Sequence, residues 1–183
     1  MDNLRYIRET MEKSASFTHV SGIGGVGMGL VALIASGVAS QSESAATWLG
    51  TWFAAAVISA TIAIYTMARK SRAQGASLLT GPGRKFTWSV IPPLAAGAAL
   101  TLALVQIESY DLLPGMWLLL YGTSVVTGGS HSVRPIPVMG GTFMLSGVAA
   151  LLAPSVWGDA FMALGFGGLH IVFGILIWRK HGG

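Results

Sequence analysis

The chain has 183 residues, of which 52% are hydrophobic and only 10% are charged, and its formal net charge is +4. A soluble globular domain carries about 25% charged residues, so a water-soluble fold of this length is excluded. The sequence contains no cysteine, which excludes disulfides, thiolate metal sites and thiol nucleophiles. The composition predicts an all-α, polytopic membrane protein.

Residues 1–18 are predicted to form a short amphipathic helix on the cytoplasmic face of the membrane. Leu4, Ile7 and Met11 fall on one narrow apolar face of this segment. The basic residues of the other face are predicted to contact anionic lipid headgroups or a partner protein, and they are Arg5, Arg8 and Lys13.

Residues 19–183 are predicted to form a transmembrane domain of six spans. A helix needs about 20 residues to cross a hydrocarbon core of about 30 Å. Six apolar stretches approach this length without Asp, Glu, Lys or Arg in their interiors: Val20–Ala39, Trp48–Ala68, Phe86–Ile107, Leu112–Gly128, Pro137–Ala153 and Ala160–Trp178.

The charges outside these spans predict the orientation. Every Lys and Arg lies in the N-terminal segment, the second connection, the fourth connection or the C-terminal tail, and the other three connections are acidic. By the positive-inside rule both termini are cytoplasmic, and we expect a bacterial cytoplasmic membrane. Arg84 and Lys85, in the second connection, are further predicted contacts with headgroups or a partner. Because topology explains the basic residues, no nucleic-acid partner is expected.

The segment Gly22–Gly27 matches the G-x-G-x-x-G pattern of dinucleotide-binding turns. That turn requires a preceding strand and a βαβ unit, and an isolated strand cannot enter hydrocarbon with unpaired backbone groups. The glycines instead belong to a small-residue stripe that predicts close helix packing. The stripe contains Ser21, Gly25, Gly29, Ala32 and Ser36.

His170 is the histidine predicted near the centre of a span, where a polar group is costly and is by default a functional candidate. A bis-histidine haem site needs a second histidine facing it at the same depth, and His170 has none. Carboxylates and thiolates are likewise missing at that level. We therefore predict no cofactor and no metal, with haem at His170 as the alternative.

Gly122-Thr123-Ser124 in the fourth span and Gly165-Phe166-Gly167-Gly168-Leu169-His170 in the sixth resemble the motifs of rhomboid intramembrane proteases. The resemblance implies that Ser124 is a nucleophile and His170 its general base. The chain departs from that family at Val125, where the family has glycine, and in its short first connection.

The whole chain is similar to six-helix inner-membrane proteins of bacteria, most clearly at Gly167–Ile171 and Arg179–Gly183. This similarity implies a fold and a location but no activity. The expected function is that of a non-catalytic accessory, scaffold or sensory component that binds lipid, a partner subunit or a second copy of itself. Facilitated passage of a small solute and intramembrane proteolysis are the alternatives.

Overall fold

The computed structural model describes residues 19–75, 77–78, 81–130 and 132–182 of the chain. These ranges contain helices and no β-strand. The α-helices are α1 (Gly22–Ala39), α2 (Ala45–Ala73), α3 (Gly81–Gln106), α4 (Leu113–Gly129), α5 (Pro135–Leu152), α6 (Gly158–Met162) and α7 (His170–His181). A π-helical segment, Ala163–Leu169, joins α6 to α7, and short 3₁₀ turns at Tyr110–Leu112 and Ser155–Trp157 precede α4 and α6.

Six helical stretches of the described chain are long and apolar enough to cross a membrane, which confirms the six predicted spans. The sixth span, Ser155–His181, combines α6, the π segment and α7. Several helices extend beyond the predicted apolar stretches; α2, for example, continues through the basic residues to Ala73. It begins at Ser44, whose side chain accepts a hydrogen bond from the Thr47 amide and so caps the helix.

The six spans form two groups of three. In one group α2 packs on α1, and α1 packs on the sixth span; in the other, α3 packs on α4, and α4 packs on α5. The groups meet where the sixth span contacts α4 and α5. This order leaves α2 and α3 at the periphery, each packed extensively against one other span.

Glycine permits the close approach of α1 to the sixth span. A Cβ added to Gly29 would lie 2.7 Å from the carbonyl oxygen of Gly167, and one on Gly174 would lie 2.7 Å from the amide nitrogen of Val26. Backbone atoms, which cannot swing aside, fill the space that a side chain would need. The two helices therefore pack backbone against backbone, the arrangement that small residues allow in lipid.

A second glycine contact joins α4 to α5. A Cβ on Gly122 would meet the Gly140 carbonyl at 2.7 Å, and one on Gly140 would meet the Gly122 carbonyl at 2.7 Å. Gly115 and Gly147 repeat this reciprocal approach nearer the other end of the pair. Each half of the bundle is thus built around one glycine-lined helix pair.

Two prolines interrupt the hydrogen bonding of α3, and α4 compensates for one of the lost bonds. Pro92 and Pro93 lie inside the helix and lack the amide hydrogens that would bond the preceding turn. The Thr127 hydroxyl donates to the Ser89 carbonyl at 2.8 Å, and the Ser124 hydroxyl donates to the Val90 carbonyl at 2.9 Å. Hydroxyls of a neighbouring helix are one means by which membrane helices tolerate proline.

The described Lys and Arg side chains lie at one end of the bundle, here called the basic end. Lys70 differs from the others because it turns inward and is only 7% exposed. Its ammonium donates to three backbone carbonyls, those of Val20 at 3.1 Å, His181 at 2.8 Å and Gly182 at 2.9 Å. One side chain therefore ties α2 to the segment before α1 and to the end of α7, where a positive charge also complements the helix dipole.

The predicted amphipathic helix of residues 1–18 lies outside the described residues, and so do its proposed contact residues Arg5, Arg8 and Lys13.

Candidate functional site

Where the two halves of the bundle meet, large side chains fill the interior. Leu118 and Phe143 are fully buried, and Met139 and Met162 pack with them. Tyr121 and Phe166 contact this cluster from α4 and the π segment. The boundary between the halves is therefore an apolar core at this level, and His170 lies within it.

His170 is 3% exposed and has a partner at each ring nitrogen. Nδ1 lies 2.9 Å from the Phe166 carbonyl, and Nε2 lies 2.6 Å from the Tyr121 hydroxyl. Because a carbonyl only accepts, Nδ1 carries the proton of the neutral ring and Nε2 accepts from the Tyr121 hydroxyl. The side chain is thus a satisfied neutral imidazole that links the sixth span to α4.

The π segment Ala163–Leu169 ends immediately before His170. In a π-helix each amide bonds the carbonyl five residues earlier, whereas in an α-helix it bonds the carbonyl four residues earlier. Such segments are often found at functional sites. Here the imidazole bonds the Phe166 carbonyl, which belongs to this segment. The glycines of the segment also allow contact with neighbouring helices, because Gly167 packs against Leu33 and Gly165 against Leu118.

Aromatic rings surround the imidazole. The ring centroid of His170 lies 5.2 Å from that of Phe143 and 6.2 Å from that of Phe166, and the Tyr121 ring lies 4.9 Å from Phe143. These rings and the burial of His170 place the Tyr121–His170 hydrogen bond in a largely apolar environment. A hydrogen bond in such a dry environment is worth more than one exposed to solvent.

The structure directs Ser124 and His170 to different partners. The Ser124 hydroxyl donates to the Val90 carbonyl on α3, whereas both nitrogens of His170 are bonded to Tyr121 and Phe166. A serine nucleophile requires its general base within hydrogen-bond reach. In this geometry the serine joins α4 to α3 beside the Pro92–Pro93 pair.

The described residues contain no group of three or more His, Cys, Asp or Glu side chains placed to hold a metal ion. Ligation of haem iron by His170 would require one of its ring nitrogens to leave its present partner.

The residues of the small-residue stripe have three different roles. Gly25, Gly29 and Ala32 belong to the packed face of α1, with Gly25 against Gly174 and Gly29 against Ile171. Ser21 is instead the N-cap of α1, where its side chain accepts a hydrogen bond from the Gly24 amide at 3.1 Å. Ser36 donates to the backbone carbonyl of Asp159 at 3.1 Å.

Arg84 and Lys85, the predicted contacts in the second connection, are exposed in the first turns of α3.

Asp159 organises the other end of the bundle, here called the acidic end. In addition to the bond from Ser36, its carboxylate accepts a hydrogen bond from the indole N–H of Trp48 at 2.8 Å. It therefore connects α1, α2 and the start of α6. Asp159 lies in one of the three acidic connections, and its charge alone does not indicate that it joins three helices.

Two residues that carry this architecture were not singled out from the sequence, namely Tyr121 and Lys70. Tyr121 lies one turn before Ser124 on α4, but nothing in the local pattern identifies the histidine that it contacts. Lys70 lies between Arg69 and Arg72, in a run that topology alone explained.

No family model, no curated protein and no solved structure matches the chain. Its function is therefore inferred from its own residues and geometry.

Proposed function

We propose that the protein is a non-catalytic integral membrane component, an accessory or scaffold subunit that binds lipid or a partner through the open faces of α2 and α3. We place it in a bacterial cytoplasmic membrane with both termini cytoplasmic. The sequence resemblance at Gly167–Ile171 and Arg179–Gly183 motivates the bacterial membrane, and the basic character of one end of the bundle supports the orientation.

The observation that carries the proposal is the unequal burial of the spans. In their most apolar windows, α2 and α3 bury 6% of their residues inside the protein, compared with 50% for the fourth span. Phe53 on α2 is 73% exposed and Leu102 on α3 is 68% exposed. These helices offer most of their surface to lipid or to a partner.

The interior favours a scaffold over a solute path. Passage of a solute requires polar groups along a continuous opening. Here the space between the halves is occupied by Leu118, Phe143 and their neighbours, and the pair Tyr121–His170 bonds to itself and to the backbone. Backbone contacts between glycines close the interior of each half.

Solute flux tests the proposal. Proteoliposomes containing the purified protein should shrink and recover in glycerol or urea gradients at the same rate as empty liposomes. Faster flux that depends on the protein would overturn the proposal in favour of a facilitator. Empty vesicles of the same lipid and size are the control.

Site-specific photo-crosslinking in cells tests the binding faces. A photoreactive residue at Phe53 or Leu102 should give one discrete adduct, whereas the same residue at Leu145 on α5, which is 71% exposed, should give only diffuse lipid labelling. Identical diffuse patterns at all three positions would contradict specific binding by α2 and α3.

A further inference from the structure

The outer face of α2 near the basic end has a shallow depression, and charged side chains border it on one side. It is lined by Thr61, Ile64, Tyr65, Ala68, Arg69 and Arg72. At about 100° per residue, Tyr65, Arg69 and Arg72 lie on one side of the helix, whereas Lys70 lies roughly 140° around from Tyr65. The structure agrees with this division, because Lys70 points into the protein and both arginines are exposed.

We propose that this face binds the phosphate of an anionic phospholipid, with Arg69 and Arg72 on the phosphate and an acyl chain along Ile64 and Thr61. The proposal rests on the proposed function, since it names one occupant of the open face of α2. This lipid site differs from the headgroup contacts predicted at residues 1–18 and in the second connection. Here the charged residues and the apolar groove belong to the same surface of one helix.

The chemistry of the groove fits that ligand. Guanidinium groups bind phosphate oxygens through pairs of charge-assisted hydrogen bonds. The Tyr65 side chain, 64% exposed, provides an amphipathic ring and a hydroxyl at the level where headgroups meet hydrocarbon. From Thr61 to Arg72 the helix rises about 16 Å, enough for a headgroup and the upper part of a chain.

Within the described ranges no carboxylate competes for these arginines. The acidic residues there are Glu43, Glu108, Asp111 and Asp159, which belong to the opposite end of the bundle. Among the described residues, the positive charge of the groove therefore has no carboxylate beside it.

Charge also favours lipid over a second copy of the chain. A two-fold contact brings the same patch of both subunits together. Such a contact through this face would place Arg69 and Arg72 of each copy beside those of the other, and like charges at an interface are strongly unfavourable. A phospholipid supplies the negative charge that the face lacks.

Native mass spectrometry in mild detergent with added phosphatidylglycerol tests the proposal. The double variant Arg69→Gln/Arg72→Gln should raise the Kd for the lipid about tenfold, which corresponds to about 1.4 kcal/mol. The control Arg179→Gln/Lys180→Gln removes the same charge at the same end and should change binding less than twofold. Tyr65→Phe should give an intermediate loss.

Other outcomes would overturn the proposal. Equal losses in both double variants would mean a general effect of charge, and unchanged binding in the first would mean that the groove is not the site. Displacement of the lipid by inorganic phosphate would indicate a site for a free anion. A change of oligomeric state in the first variant would indicate self-association through this face.

Thermal unfolding followed by tryptophan fluorescence checks that both double variants remain folded. The lipid assay and the solute assay are independent: loss of the lipid site leaves the scaffold proposal standing, whereas solute flux would overturn that proposal whatever lipid is bound.

Discussion

Tyr121 and His170 satisfy each other in a dry part of the molecule, and this mutual dependence makes the pair sensitive to small changes. The tyrosine hydroxyl donates to Nε2 of the histidine at 2.6 Å, and the other nitrogen is held by the Phe166 carbonyl. The contact connects two helices that belong to different halves of the bundle. At the scale of single residues, this pair and Lys70 are two places where buried polar groups join separate segments of the fold.

Replacement of Tyr121 by Phe removes the donor to Nε2 and leaves a buried acceptor unpaired. We expect a loss of about 1–3 kcal/mol in the free energy of unfolding, the usual cost of such a group. Denaturation in detergent, followed by tryptophan fluorescence, measures the change. Tyr110→Phe makes the same change in the connection before α4, away from this pair, and should be neutral; equal effects of the two variants would contradict this account.

Replacement of Lys70 by Met keeps the length of the side chain but removes three hydrogen bonds to carbonyls in two other segments. We expect destabilisation by about 1–3 kcal/mol because those carbonyls lose their donor. Limited proteolysis should also cut faster near residue 182. Lys180→Met, at an exposed position of the same end, is the control, and resistance of the Lys70→Met protein to both assays would show that the contact is dispensable.

His19 precedes α1, and burial, followed by the positive charge of Lys70, lowers its pKa below the ordinary value; a hydrogen bond with Gln74 acts in the opposite direction. Between the lowered value and about 6.5, the unfolded chain binds more protons than the folded protein. Stability contributed by neutral His19 is therefore lost as the pH falls through this window. Thermal unfolding at pH 7.5 and pH 5.5 should show a smaller acid effect in His19→Gln than in the wild type, and equal acid effects in the two proteins would contradict this account.

At the scale of helices, stability depends on how closely backbones approach. The pairs α1–α7 and α4–α5 use glycines whose missing side chains would strike backbone atoms, and α3 depends on α4 for a donor to the Ser89 carbonyl, which Pro93 leaves without its amide partner. Neighbouring glycines differ greatly in the room available for a side chain, because only the glycines on the contact face lie against another backbone. The helix faces, more than the number of glycines, determine the packing.

Gly140 and Gly141 provide a matched test on one helix. A Cβ on Gly140 would lie 2.6 Å from the Val126 amide nitrogen, whereas one on Gly141 meets nothing within 4 Å. Gly140→Ala should destabilise the protein by about 1–3 kcal/mol through overpacking. Gly141→Ala should be neutral or stabilising by up to about 1 kcal/mol, because alanine favours the helix. Thermal unfolding of both variants measures the difference, and similar melting temperatures would contradict the proposed contact.

At the scale of the whole molecule, the basic and acidic residues within the described ranges lie at opposite ends of a two-part bundle. Since the sequence has no cysteine, single reporter cysteines can test the orientation without background labelling. Gln41→Cys should react with a membrane-impermeant maleimide in intact spheroplasts, and Ala73→Cys should react only after permeabilisation, because we propose that the basic end is cytoplasmic. The reverse pattern would invert the topology.

The sequence by itself determined the six spans, because each apolar stretch must be long enough to cross hydrocarbon and charges are excluded from it. It also indicated that the glycines of α1 serve packing, since a nucleotide-binding strand is incompatible with the membrane. The tertiary structure decided which spans are neighbours, because apolar helices carry little information about partners separated in the chain. It also decided that His170 pairs with Tyr121 rather than Ser124 and that Lys70 turns inward. These choices depend on the rotation and depth of each helix, which are set by contacts between distant residues.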